Sequence, residues 1–349
     1  MRANKNLTPV WIIYSDGKRL DVEHEGALQS IMVNDCLNGI SSFSLVFDTA
    51  GVKVQEKGLI SSGSLLSIHL GYKDDVEEVF SGEVHTFRTV FPEVGVEQLE
   101  VCGSNVLYKL DRASHYRSFE GKAPSEVIKG LIDTYSLKAE VEDFGVSKLS
   151  QSEENLTDYE YLIEQAEAYG KQVYASGSTI YVKNEITIST DEVIFEWGKS
   201  LVSFKATQNT RGLMTGVDYV GWDDLKKESF AGKAELSDIP VKVGGSKYWN
   251  EIYKSSSGNL RSTEIDLNSE DSEEAKQLAI GMLQNNSYTF CHAHGIGEGN
   301  YRLRPGMRVM LKMVGEMNEG EYLAEVVTHR FDHRNGYTVE FDLKRNMCL

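Results

Sequence analysis

GSLLSIHLGY (63–72) and GMRVMLKMVG (306–315) follow one strand grammar, and each leads through a charged turn into a similar returning strand. In the first copy Leu66, Ile68 and Leu70 share a face, because strand side chains alternate with a period of two. In the second copy Val309, Leu311 and Met313 take those places. The turns read KDDVEE (73–78) and EMNEGE (316–321), and the returns read FSGEVHTF (80–87) and YLAEVVTH (322–329). Aligned end to end, the returns match Phe80 with Tyr322, Glu83 with Glu325, Val84 with Val326 and Thr86 with Thr328. Two unrelated amphipathic hairpins would show the same alternation. An internally duplicated β-barrel explains more, since the likeness covers strand, turn and return together.

Working outward, 349 residues exceed what one hydrophobic core usually supports, so two or three domains are expected. The stretch before Ala113 is nearly all β. Asp16-Gly17 marks a hairpin turn, and ISSFSLVFD (40–48) puts Phe43, Leu45 and Phe47 on one face. Between Ser114 and Glu185 the period lengthens. Pro124 opens a helix whose Val127, Ile128, Leu131 and Ile132 recur at helical spacing. A second helix carries a capping box, Thr157 with Glu160, a staple of Leu156 with Tyr161, and Gly170 at its end. The strand pair KQVYAS and STIYVKN completes a small α/β unit. From Ile186 the grammar returns to strands, and SLVSFKATQNTRGLMTGVDYVGWD (200–223) reads as a strand pair. A polar excursion of little periodicity occupies about 223–261. A helix then starts near Asp271, and the chain closes on a hairpin at Asn335-Gly336 whose Tyr337, Val339, Phe341 and Leu343 form one buried face. The expected fold is mainly β with an α+β insertion: a first β-barrel over 1–113, an inserted α/β domain over 114–185, and a second β-barrel over 186–349.

A net charge of -17 argues against wrapping nucleic acid by phosphate neutralisation and against anionic membranes. It suits a passage wall that must not adhere to acidic cargo, or simply solubility. Cys36, Cys102, Cys291 and Cys348 show no framework spacing and read as reduced thiols of a protein made in the cytoplasm. Arg2 and Lys5 precede the apolar run VWIIY, which is too short for the core of a signal peptide.

Chemistry-bearing motifs are weak. CHAH (291–294) would place His292 and His294 on one face of a strand, and His329 and His333 follow, but no tetrahedral spacing results. GIGEGN (295–300) lacks the third glycine of a dinucleotide loop and reads as a flexible turn. Gly198-Lys199-Ser200 ends like a phosphate loop, with Val193 where its first glycine belongs. DLNSEDSEE (266–274) alternates oxygen side chains as a calcium loop does, yet Asp271 stands where glycine is needed, so helix capping explains it better. No catalytic, cofactor-binding or metal-binding residue is assigned.

The succession of LGY and FSGEV near Gly71 and Phe80, CGSNVLYKLDRASHYRSFEGKAPSEVI (102–128), NLTDYEYLIEQAEAYG (155–170), LRPGMRV (303–309) and GEYLAEVVTHRFDHRNGYTVEF (320–341) resembles the hub family of contractile injection machines. That family includes phage late control protein D, the central baseplate hub of tailed phages and the N-terminal part of the VgrG tip proteins of type VI secretion. The resemblance implies a structural protein, not an enzyme. It implies a homotrimer in which each chain supplies two barrels similar to tail-tube subunits, so that six barrels meet a six-fold tube while three-fold symmetry remains for a spike. The implied partners are the tail tube protein, the spike protein and other baseplate components. The resemblance also implies passage of DNA or effector through the channel, and a place in a virion tail or injection-particle baseplate. Longer VgrG proteins continue into further barrel and needle segments that have no counterpart before Leu349, so the spike is expected either on a separate chain or beyond the end of a truncated sequence. Two other functions remain open at this level: a tail-associated cell-wall hydrolase, and a carbohydrate-binding β module using aromatics such as Trp222 and Trp249.

Overall fold

A computed structural model describes residues 8–49, 60–73, 75–186, 192–223, 226–253, 260–266 and 269–348. Arg2, Lys5, Asp74, parts of the polar stretch (224–225 and 254–259) and residues 267–268 of the acidic run lie outside them. The architecture is mainly β with helices confined to a few insertions.

The first segment contains β1 (Pro9–Ser15), β2 (Lys18–Arg19), α1 (Val22–Ala27), β3 (Leu28–Cys36), β4 (Ser42–Asp48), β5 (Leu65–Tyr72), β6 (Asp75–Val90) and β7 (Gln98–Ser104). Next come β8 (Ser114–Glu120), α2 (Pro124–Thr134), β9 (Lys138–Val141), β10 (Ser150–Thr157), α3 (Asp158–Ala168), β11 (Gln172–Ser176) and β12 (Thr179–Lys183). The remainder contains β13 (Val193–Glu196), β14 (Leu201–Gln208), β15 (Gly216–Asp223), β16 (Glu228–Glu235), α4 (Trp249–Ile252), β17 (Arg261–Ile265) and α5 (Ser272–Ser287). It ends with β18 (Cys291–Glu298), β19 (Arg308–Lys312), β20 (Gly320–Asp332) and β21 (Gly336–Arg345).

Neighbouring strands of the first barrel run β3-β4-β7-β6-β5-β1, and those of the second run β14-β18-β21-β20-β19-β13. The two orders correspond strand for strand and two bulges recur, while a third, at Val79 between β5 and β6, has no counterpart between β19 and β20. A bulge at Gln29 between β3 and β4 recurs at Val202 between β14 and β18. A bulge at His85 between β6 and β7 recurs at Glu325 between β20 and β21. Bulges bend and twist a strand locally, so repeated bulges impose repeated curvature. One strand departs: β1 runs antiparallel to β5, whereas β13 runs parallel to β19.

The bulges also correct the alignment of the returning strands. Leu66 and Ile68 do correspond to Val309 and Leu311. On the return, however, His85 matches Glu325 and Gly82 matches Tyr322, a slip of two residues from the end-to-end alignment. A shift of two equals the strand period, so the buried face is unchanged.

Each barrel has its own core, with Leu45, Phe47, Ile68 and Val101 central in the first and Phe195, Leu311, Val339 and Phe341 in the second. GIGEGN is not a flexible turn: Gly295 and Gly297 lie inside β18 and give room to aromatic rings. A Cβ added to Gly295 would sit 2.5 Å from the ring of Phe341.

The inserted unit pairs β8 with β10 and assembles β11-β12-β9 around Ile128, Ile132, Leu162 and Val182. Its second helix starts as the capping box dictates, with Glu160 N–H donating to Thr157 Oγ1 (3.1 Å) and Thr157 N–H donating to Glu160 Oε2 (2.8 Å). The polar excursion is more ordered than its composition suggests. β16 pairs antiparallel with β15 and β17 pairs parallel with it, forming a sheet that packs on α5. Leu236, Ile239, Val241, Val243, Tyr248 and Trp249 are all buried. Thus β14 and β15 are not a strand pair but members of different sheets.

Candidate assembly edges

The two barrels meet along one antiparallel joint. β20 is long enough to serve two partners on the side opposite β21: Leu323 and the residues before it pair with β19, and Val326 to Asp332 pair with β3 of the first barrel. The Glu325 bulge separates these halves. The joint register places Val327 opposite Asp35, His329 opposite Val33 and Phe331 opposite Ile31. All six are buried.

Polar groups inside the joint are matched. Burial and the nearby Arg304 guanidinium push His329 well below the usual imidazole range, so its ring is neutral. That ring lies 2.8 Å from the Tyr337 hydroxyl at Nδ1, and its Nε2 lies 3.2 Å from the Leu303 carbonyl oxygen and 3.3 Å from Arg304 Nη1. Asp35 accepts from Ser41 Oγ and from the Tyr174 hydroxyl, each at 2.7 Å, which ties β3 to β11 of the inserted unit. Burial raises its carboxyl to about 6, although both hydrogen bonds oppose the shift.

Two strand segments occupy the corresponding places without a partner among the described residues. By the bulges, Thr86–Val90 of β6 corresponds to Val326–Arg330 of β20; it pairs with β7 on one side and with nothing on the other. Likewise Ser203–Gln208 of β14 corresponds to Ser30–Asp35 of β3, and pairs with β18 alone. Phe87 and Phe204 are each half-buried where Val327 and Ile31 are fully covered. Beyond β6 the chain continues into Phe91, 76% exposed, where the second barrel has Phe331 at 6%. Unpaired strand edges are templates for a further strand.

The other residues singled out from sequence serve structure. His292 is exposed, His294 lies 2.9 Å from Asp342 Oδ1, and His333 Nε2 lies 2.8 Å from the Leu28 carbonyl oxygen. Among the described residues no three His, Cys, Asp or Glu side chains gather as a metal would require. Ser200 of the Gly-Lys-Ser turn accepts from Glu196 N–H (3.1 Å), and Asp271 caps α5 by accepting from Glu274 N–H (2.8 Å). The cysteines are free, and burial raises each thiol above its usual range, which disfavours nucleophilic thiolate. Trp222 is exposed but Trp249 is 1% exposed, so the two do not form an open aromatic platform.

Sequence reading missed the buried acids. Glu153 and Asp158 share the Arg117 guanidinium, with Nε 2.7 Å from Glu153 Oε2, and Asp158 also accepts from the Tyr135 hydroxyl at 2.5 Å. Glu274 meets Lys148 Nζ at 2.7 Å and the Tyr169 hydroxyl at 3.0 Å. Alternate polar residues in SQSEENLT gave only the generic strand signal for Glu153. Among the described residues no helix is long and apolar enough to cross a membrane.

A family model described as the Alg8 N-terminal domain matches residues 6–333. No curated protein matches the chain. Solved structures do. The tail protein from Neisseria meningitidis MC58 is similar with a TM-score of 0.67 and 14% identity, covering 97% of each chain. The 43 kDa tail protein of prophage MuSo2 from Shewanella oneidensis is similar with a TM-score of 0.69 and 12% identity, over 97% of this chain and 99% of its own. An E. coli protein described as a component of the type VI secretion system is similar with a TM-score of 0.59 and 7% identity, over 91% of this chain and 73% of its own. These likenesses establish a fold shared with tail proteins.

Proposed function

The chain belongs to the Alg8 N-terminal domain family, and from the fold it shares with tail proteins we propose that it is a structural hub of a contractile injection machine. In this reading the chain comprises a first tube-like barrel over 1–113, an inserted α/β domain over 114–185 and a second tube-like barrel over 186–349. Three copies form a ring of six barrels. The ring adapts a six-fold tail tube to a three-fold spike, with other baseplate components around it and a channel for DNA or effector through it. The carrying observation is the doubled barrel, identical in strand order and in the position of two bulges. Two equivalent segments per chain are what a three-copy ring needs to present six similar surfaces. Similarity to tail proteins and to a type VI secretion component supports the setting, a virion tail or injection-particle baseplate.

Neither alternative gains support. A wall hydrolase needs two carboxylates facing substrate, whereas the buried acids Glu153, Asp158 and Glu274 are held by Arg117 and Lys148. A glycan-binding platform of Trp222 and Trp249 fails on the burial of Trp249. The test is light-scattering mass with low-resolution imaging of the purified chain, alone and mixed with tube and spike partners. A three-fold ring with six lobes is expected; a monomer under every condition contradicts the reading.

A further inference from the structure

We propose that copies of this chain join by adding β14 of one copy, antiparallel, to residues 86–91 of the next copy, reproducing between chains the β3–β20 joint that exists within each chain. This inference rests on the ring reading and names its contact. The template is the internal joint, in which Val326–Asp332 pairs with Ser30–Cys36. Carrying that register across the bulge equivalences, His85 for Glu325 and Val202 for Gln29, specifies the new pairs. Phe87 then faces Gln208, Arg88 faces Thr207, Thr89 faces Ala206, Val90 faces Lys205 and Phe91 faces Phe204.

Three observations support a second copy as the occupant. Each free edge is the counterpart of one half of a joint already built in the same molecule, so the two halves are complementary by construction. Their core-facing rows are incompletely covered: Phe87, Phe204 and Ala206 are half-buried and Phe91 is exposed, while Val327, Ile31, Val33 and Phe331 in the internal joint are buried. Finally, an interchain joint of the same geometry repeats the same rotation at every barrel, and six such steps close into a ring when each is a sixth of a turn without rise. Strand addition supplies main-chain hydrogen bonds, and the aromatic row sets the register.

The test uses the full chain in a Cys102→Ser background, since Cys102 lies on β7 near Arg88. Arg88→Cys with Thr207→Cys should give covalent trimer on mild oxidation, because directly opposed Cα atoms lie within the roughly 7 Å that a disulfide can span. Arg88→Cys with Lys205→Cys, displaced by two residues, should cross-link at least several-fold more slowly. Phe87→Asp should abolish the trimer while the circular dichroism spectrum keeps its native form. A trimer that forms without the first cross-link, or with the displaced one in excess, overturns this joint and leaves the ring reading intact. A chain that stays monomeric with all partners present overturns both.

Discussion

The two barrels share register but distribute their bulk differently. In the first barrel, Phe43 and Leu45 on β4 face Gly103 and Val101 on β7. In the second, Ala293 and Gly295 on β18 face Leu343 and Phe341 on β21. Large residues have moved from one strand to its neighbour while the space between the strands stays filled. A close-packed core constrains summed volume across facing positions more tightly than the identity at any one of them. The second contrast is at the edges: β20 carries a partner strand along its later half, and β6 has none there among the described residues.

The largest expected effect comes from breaking that second contrast. Val327→Asp places an unpaired carboxylate in the filled joint, where Val327 is 0% exposed, and should cost about 4 kcal/mol or more, seen as loss of the cooperative thermal transition. At the equivalent position, Phe87→Asp should cost the isolated chain only about 1–2 kcal/mol, because its site is half open. Equal losses at the two positions would mean that the edges are not counterparts.

Phe341→Ala should destabilise by about 3–5 kcal/mol, as its ring fills the space over Gly295. Adding Gly295→Phe in that background moves bulk to β18, as in the first barrel, and should restore part of the loss in denaturant titrations. No recovery would show that the exchange between strands depends on more than volume.

Asp35→Asn addresses pH, and its counterpart in β14 is the amide Gln208. The Asp35 carboxyl is raised to about 6 in the fold, above the roughly 4 of an unfolded chain. The unfolded chain therefore loses its proton first. The stability tied to this group is fully present below about pH 4, declines as pH rises through about 6, and is level above that. The variant should lack this decline in melting temperature between pH 4 and 7. A parallel slope in the variant would assign the decline to another group.

The smallest effect is expected outside both barrels. Thr157→Ala removes the cap of α3 and should cost about 1 kcal/mol, with hydrogen exchange accelerated in the first turn of that helix.

Much of this was legible in local sequence. Period-two runs such as Leu66/Ile68 and Val339/Phe341 do lie on core faces, and the Thr157–Glu160 box does open a helix. Such signals are set by residues a few positions apart. The bulges at His85 and Glu325 are not legible, because a bulge is a relation between strands and leaves no mark on either alone. The stretch from Leu236 to Trp249 lacks periodicity because α5 and the end of β21, not a neighbour along its own strand, decide which residues are covered. The assembly edges were hidden for the same reason: an edge is free only once every other pairing is known.

The most direct test of the repeated joint is a cryo-electron-microscopy map of the assembled hub, read for the rotation between successive barrels. Three chains should form a closed ring in which the step within a chain and the step between chains are both about 60°, with β14 of one chain lying beside residues 86–91 of the next. Steps that differ widely, or a ring closed through other edges, would contradict it.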